Sequence, residues 1–231
     1  MGDWLGPAEW EAVRLSLRVA AVAVAASLPF GIAVAYALAR GRFPGHGLLN
    51  GLVHLPLILP PVVTGYLLLL SLGPQTALGG LLSTLGMPVA FRWTGAALAA
   101  AVMAFPLMVR AIRLSIEAVD AKLEQAAQTL GASRLWVFVT VTLPLILPGI
   151  ITGAILAFAK AMGEFGATIT FVSNIPGETR TVPSAIYAFL QIPGGEDAAL
   201  RLVLVSVGVA MGALLLSEWL GRVVARRIGG A

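Results

Sequence analysis

The sequence predicts an all-α integral membrane protein of about five transmembrane helices, on three observations. Only 11% of its 231 residues are charged and 58% are hydrophobic, against about 25% charged in soluble domains. Such a chain cannot coat a globule in water. Its apolar residues gather in stretches near the ~20 that a helix needs to cross the hydrocarbon layer. Its 26 Gly and 14 Pro are too many for straight soluble helices but suit membrane helices that bend and pack closely. A soluble enzyme, a disordered tail and a nucleic-acid-binding domain are thereby excluded. The 15 Lys and Arg are spread singly and form no stripe that could track phosphates. With no Cys there is no disulfide framework and no thiolate chemistry.

The first span is expected over residues 12–39, closed by Arg40-Gly41-Arg42. A cleaved signal peptide is the alternative, but signal peptides carry positive charge before their apolar run. Here Asp3, Glu9 and Glu11 come first, so a retained span is expected. The uncharged stretch that follows is too long for one crossing. Residues 49–72 are its densest part and form the second span, while 76–91 read as a short Gly-rich segment near the surface. Pro56, Pro60 and Pro61 remove three backbone donors and kink that span. Carbonyls freed at membrane depth are tolerated only where protein or a watery cavity meets them. The break is therefore either a structural bend or part of a pathway. Thr64 is placed to satisfy a freed group, and Gly65 to admit another helix.

The third, fourth and fifth spans are expected at 93–112, 135–160 and 198–221. Between the last two lie apolar pieces at 165–175 and 182–192, separated by Pro176-Gly177-Glu178-Thr179-Arg180. Neither is long enough to cross, so residues 165–192 read as re-entrant or interfacial.

Orientation follows from the basic residues. With the amino terminus outside, five spans put Arg40, Arg42, Arg110, Arg113, Lys122, Arg134, Arg222, Arg226 and Arg227 in the cytoplasm, together with the carboxyl terminus. Only Glu117, Asp120, Glu124 and Glu218 oppose them there. The outer side holds Arg14, Arg18, Arg92, Arg180 and Arg201 among six acids.

No GxxxxGK[ST], HExxH or Gly-x-Ser-x-Gly motif is present, and His46 and His54 are isolated. No catalytic residue, resident metal or cofactor is therefore expected in this chain. Active transport would draw its energy from a partner or an ion gradient.

The segment 117–134 carries the most information. Asp120 is a good N-cap and Gly131 is placed to end the helix in a left-handed conformation. The ten residues between them span about 15 Å, too short to cross. Leu123, Ala126, Ala127 and Leu130 form one apolar stripe, with Lys122, Glu124, Gln125 and Gln128 off it. Ser133 can cap the next span, with Trp136 at the interface. Periodicity alone favours a helix lying on the membrane or packing on its own bundle.

Gln125-Ala126-Ala127, Gly131 and Val141-x-Leu143-Pro144 resemble the EAA-x3-G-x9-I-x-LP segment of ABC importer membrane subunits. Gln125 takes the Glu place, with Glu124 just before it, and Val141 takes the Ile place. The stretches 54–66, 104–113, 163–174 and 175–181 narrow the resemblance to molybdate importer permeases, with sulfate and tungstate permeases as neighbours. It implies the type I permease fold in the inner membrane. It also implies a homodimer, cytoplasmic ATPase subunits that bind ATP and Mg, and an external oxyanion-binding protein. By the same resemblance, Leu123, Glu124, Gln125, Ala126, Ala127, Leu130, Gly131, Ala132 and Ser133 belong to a coupling helix that docks on the ATPase.

Candidate pathway residues are fewer and each has a plainer reading. Pro60, Pro61 and Thr64 mark the broken span. Lys160 and Glu164, four apart, either pair with each other or make Lys160 a transient counter-charge for an anion. Thr168 and Thr170, with Ser173 and Asn174, either donate to a passing oxyanion or cap a turn. Met103, Phe105 and Met108 either gate or simply pack. A gradient-driven transporter or channel would be expected to hide ionisable groups in several spans, and a membrane scaffold would not need the 117–134 segment.

Overall fold

The computed structural model describes residues 4–229, and these form eleven α-helices and one π-turn without a strand. Asp3 lies outside the described residues, as do the side chains of Arg226 and Arg227. Four helical stretches are long and apolar enough to cross a bilayer: α1 (Pro7–Arg40), α5 (Trp93–Ala118), the run Arg134–Met162 and, within α11 (Glu196–Gly229), Glu196–Val223. A fifth crossing exists if α2 (His46–Ile58) and α3 (Pro61–Leu72) count as one broken span.

α5 is the hub. Within its apolar window 61% is buried, against 33%, 28% and 11% for the other three. Composition explains this: Ala96, Ala97, Ala99, Ala100 and Ala104 are all buried, and small side chains let neighbouring backbones come close. α1 packs on α5 where Gly31 faces the Met108 sulfur, and a Cβ there would lie 2.8 Å from it. The long fourth run packs antiparallel to α5 through Gly149 and Gly153. Added side chains there would collide with Ser115 and come within 3.1 Å of the Met108 carbonyl. That Gly-x-x-x-Gly spacing is a helix-pairing signature with no place in the sequence analysis above.

The second span is broken more sharply than a proline kink. Leu59 closes α2 by donating to the Leu55 carbonyl at 3.0 Å, and Pro60 is extended at ψ 135. Pro61 then opens α3, a position where a missing N–H costs nothing. The two helices meet at 115°. Residues 76–91, read as a surface segment, contain α4 (Ala77–Thr84), capped by the Thr76 hydroxyl.

The fourth run is continuous but irregular. α7 (Arg134–Val137) passes into a π-turn, Phe138–Thr142, before α8 (Leu143–Met162). The Leu143 N–H reaches back to the Phe138 carbonyl, five residues away. Pro144, one residue on, has no N–H to give, and the extra residue shifts the register just ahead of it. Residues 165–192 fold as two short helices, α9 (Gly166–Val172) and α10 (Val182–Phe189). Between them the Ile175 carbonyl accepts the N–H groups of Glu178, Thr179 and Arg180.

Charges gather at the two ends of α5. Near Trp93, Arg92 pairs with Glu178 at 3.0 Å and Arg18 stacks 3.7 Å over the Trp93 ring. At the other end Arg113 contacts Glu117 and Asn50. The amino-terminal ends of α1 and α11 are joined by Arg201 and Glu9 at 2.8 Å.

Candidate coupling and translocation sites

The segment after α5 turns at Val119 and enters α6 (Ala121–Thr129) with the Asp120 carboxylate accepting from the Lys122 N–H at 2.9 Å. Gly131 holds φ +88, and the Ala132 N–H closes the turn on the Ala127 carbonyl at 3.2 Å. Ser133 caps α7 by accepting from the Trp136 N–H. Both capping residues and the left-handed glycine therefore stand where the spacing placed them.

Leu123, Gln125, Ala126 and Leu130 face outward, Leu130 being 89% exposed, while Ala127 is half-buried. Glu124 does not stay on the polar flank that periodicity assigns it. It turns into the subunit and is 9% exposed. One carboxylate oxygen accepts from the buried Thr142 hydroxyl at 2.8 Å, and the other lies 3.4 Å from Arg40 Nε. Arg40 also donates through Nη2 to the Val119 carbonyl at 2.8 Å. Sequence reasoning missed Arg40 and Thr142 as members of this site, having counted Arg40 for the end of the first span and for orientation. The available signal was an acid at 124 flanked by Ala121 and Ala127, three residues either way, which is a second and inward stripe.

The candidate pathway residues converge in part, where α3 meets α9. Gly166 faces Pro61, and a Cβ on it would lie 2.7 Å from the Pro61 side chain. A Cβ on Gly65 would lie 2.8 Å from Ala167 Cα, so Gly65 does admit another helix. Thr64 beside it is 6% exposed, and its hydroxyl has no hydrogen-bond partner among the described residues. The expectation that Thr64 satisfies a freed carbonyl is corrected here: its hydroxyl donates to none of the described residues. Pro60 is exposed at the corner.

Glu164 is 2% exposed and doubly held. Lys160 Nζ lies 3.0 Å from one oxygen, and the Ala167 N–H donates to the other at 3.0 Å, so the carboxylate caps α9. Lys160 is about one-third exposed and keeps donors to spare. Thr168 directs its hydroxyl at the Phe165 and Glu164 carbonyls, and Thr170 directs its own at Gly166. Their protons are thus committed to backbone, whereas the Lys160 ammonium keeps donors free for an anion. Met103 and Met108 are buried in the core. Phe105 alone of that trio reaches an open groove, an apolar one of about 570 Å³ between α1, α2 and α5.

Residues 27–230 match the family described as binding-protein-dependent transport system inner membrane component. The chain belongs to this family. It is thus a multi-pass component of the inner membrane. Among curated relatives, the chain is similar to the molybdenum transport system permease protein ModB of Escherichia coli K12. That protein is 62% identical over 96% of this chain and 97% of its own. The ModB protein of Haemophilus influenzae is 54% identical over the same shares. The sulfate transport system permease protein CysW of Synechococcus elongatus is 38% identical over 75% of this chain and 60% of its own. In structure, the chain resembles a bacterial ABC transporter that imports alginate (TM-score 0.71, 18% identity, covering 96% of this chain and 80% of that one). It also resembles the MetNI methionine ABC transporter (TM-score 0.67, 14% identity, 94% of each). The fold is that of an ABC importer permease.

Proposed function

We propose that this chain is the membrane subunit of an ATP-driven molybdate importer. The observation that carries the reading is the near full-length likeness to molybdenum permeases at 62% identity, set against 38% for the sulfate permease. The outward face of α6 supports it, since Leu123, Ala126 and Leu130 present an apolar surface on a helix too short to cross the membrane. Two copies form the pathway, the α6 helices dock on two cytoplasmic ATPase subunits, and an external binding protein delivers the oxyanion. ATP and Mg bind on the ATPase, and this chain performs no bond-breaking of its own. The amino terminus lies outside and the carboxyl terminus in the cytoplasm.

The test is uptake into proteoliposomes by the purified complex, with molybdate, tungstate and sulfate in competition. ATP-dependent uptake that molybdate and tungstate block and sulfate does not is expected. Preference for sulfate would reassign the anion. Uptake driven by a proton or sodium gradient without ATP would refute the importer reading.

A further inference from the structure

The inward face of α6 has a job distinct from docking. We propose that Glu124 is a positioning residue that ties the coupling segment to the π-turn. Displacement of α6 then reaches α8 as a rigid step instead of dissipating in the flanking turns. The inference rests on the importer reading and adds the residues through which motion passes.

Along the backbone, α6 is joined to its neighbours by two soft links. Ahead of it lies Val119, extended at ψ 127 and half-buried. Behind it lies the turn at Gly131, where nothing comes within 4 Å of an added Cβ. Glu124 bridges both. Through Arg40, which also holds the Val119 carbonyl, it spans the first link. Through Thr142, eighteen residues on and fully buried, it spans the second. Arg40 Nε makes no hydrogen bond among the described residues, so its hold on Glu124 is the ion pair alone, and the Thr142 hydroxyl bond is the closer tie.

The grip point has a further property. Thr142 closes the π-turn, the one place in the fourth run where the backbone holds a surplus residue. Returning that turn to α geometry would move α7 against α8 by one residue, about 1.5 Å of rise and about 100° of rotation. The node therefore holds the run where a discrete change of register is available, which is the kind of two-state element that coupling between distant sites requires.

The experiment measures molybdate uptake per ATP hydrolysed by the complete complex in proteoliposomes. Thr142→Val keeps the shape and removes the proton donor. Thr142→Ser keeps the donor. Thr142→Val is expected to hydrolyse ATP at no less than half the normal rate while uptake per ATP falls by about fivefold; Thr142→Ser is expected to restore the ratio. An unchanged ratio in Thr142→Val overturns the proposal, as does an equal defect in Thr142→Ser, which would mark mere packing. Should Thr142→Val fail to assemble, Glu124→Gln carries the test, because it keeps an acceptor for Thr142 and loses the ion pair. A lowered ratio supports the proposal and an unchanged one overturns it. Absence of ATP-dependent uptake by the unmodified complex would instead strike the importer reading.

Discussion

Thr64 and Gly65 stand side by side and make opposite predictions. The Thr64 hydroxyl is buried without a hydrogen-bond partner among the described residues, and leaving such a group dry costs free energy. Thr64→Val, of the same shape, is expected to raise thermal stability in detergent by up to about 1 kcal/mol. A clear loss would reveal a partner for the hydroxyl. If uptake falls while stability rises, the hydroxyl serves the passing anion and its burial is the cost of that use. Gly65→Ala inserts a methyl group against the Ala167 backbone, which cannot yield as a flexible side chain can. A loss of about 1–3 kcal/mol is expected from overpacking, read as a lowered melting temperature. No change would mean that α3 and α9 can part without penalty.

Among the elements, α9 is held at its start by one carboxylate, and this separates the two readings of Lys160. Lys160→Met leaves Glu164 buried with the Ala167 N–H as its one remaining donor. Breaking a buried pair costs about 3–5 kcal/mol, less here because Lys160 is one-third exposed. The double change Lys160→Met with Glu164→Gln is expected to regain most of that stability, measured by thermal unfolding. If the double variant is stable and transports normally, pairing was the whole role of Lys160; if it is stable and inactive, the ammonium meets the anion. Elements governed by local chemistry were legible in the sequence. The Asp120, Gly131 and Ser133 boundaries, the break at Pro60-Pro61 and the shortness of the pieces within 165–192 depend on three or four adjacent residues. What was not legible depends on distant neighbours. Glu124 turns inward because Arg40 and Thr142 wait there. Met108 vanishes into the core because α1 offers Gly31 opposite its sulfur. The π-turn lies just ahead of Pro144 and is tied to Glu124 through Thr142, a contact that periodicity does not see.

For the whole molecule, the two charged ends of α5 convert the orientation into a measurement. The chain has no Cys, so single cysteines report cleanly. Gln128→Cys on α6 and Gln191→Cys after α10 are both at exposed positions. In right-side-out vesicles a membrane-impermeant thiol reagent is expected to label Gln191→Cys and spare Gln128→Cys; the reverse pattern would invert the topology. α11 adds a second statement at this scale. Only 11% of its apolar window is buried within the chain, so its outward surface is left for lipid or a second copy, while the pairing of Glu9 with Arg201 pins its start to α1.

α5 itself joins these scales. It runs unbroken for 26 residues, about 39 Å. At one end the Trp93 N–H faces Glu178 beneath the Arg18 guanidinium, and beyond the other Arg40 grasps the Val119 carbonyl. Its middle carries Pro106, which has no N–H to give, so the strut has a softened turn between its ends. A tilt at the Trp93 end passes to the Val119 end through that proline, and the two ends answer each other through a single piece of backbone.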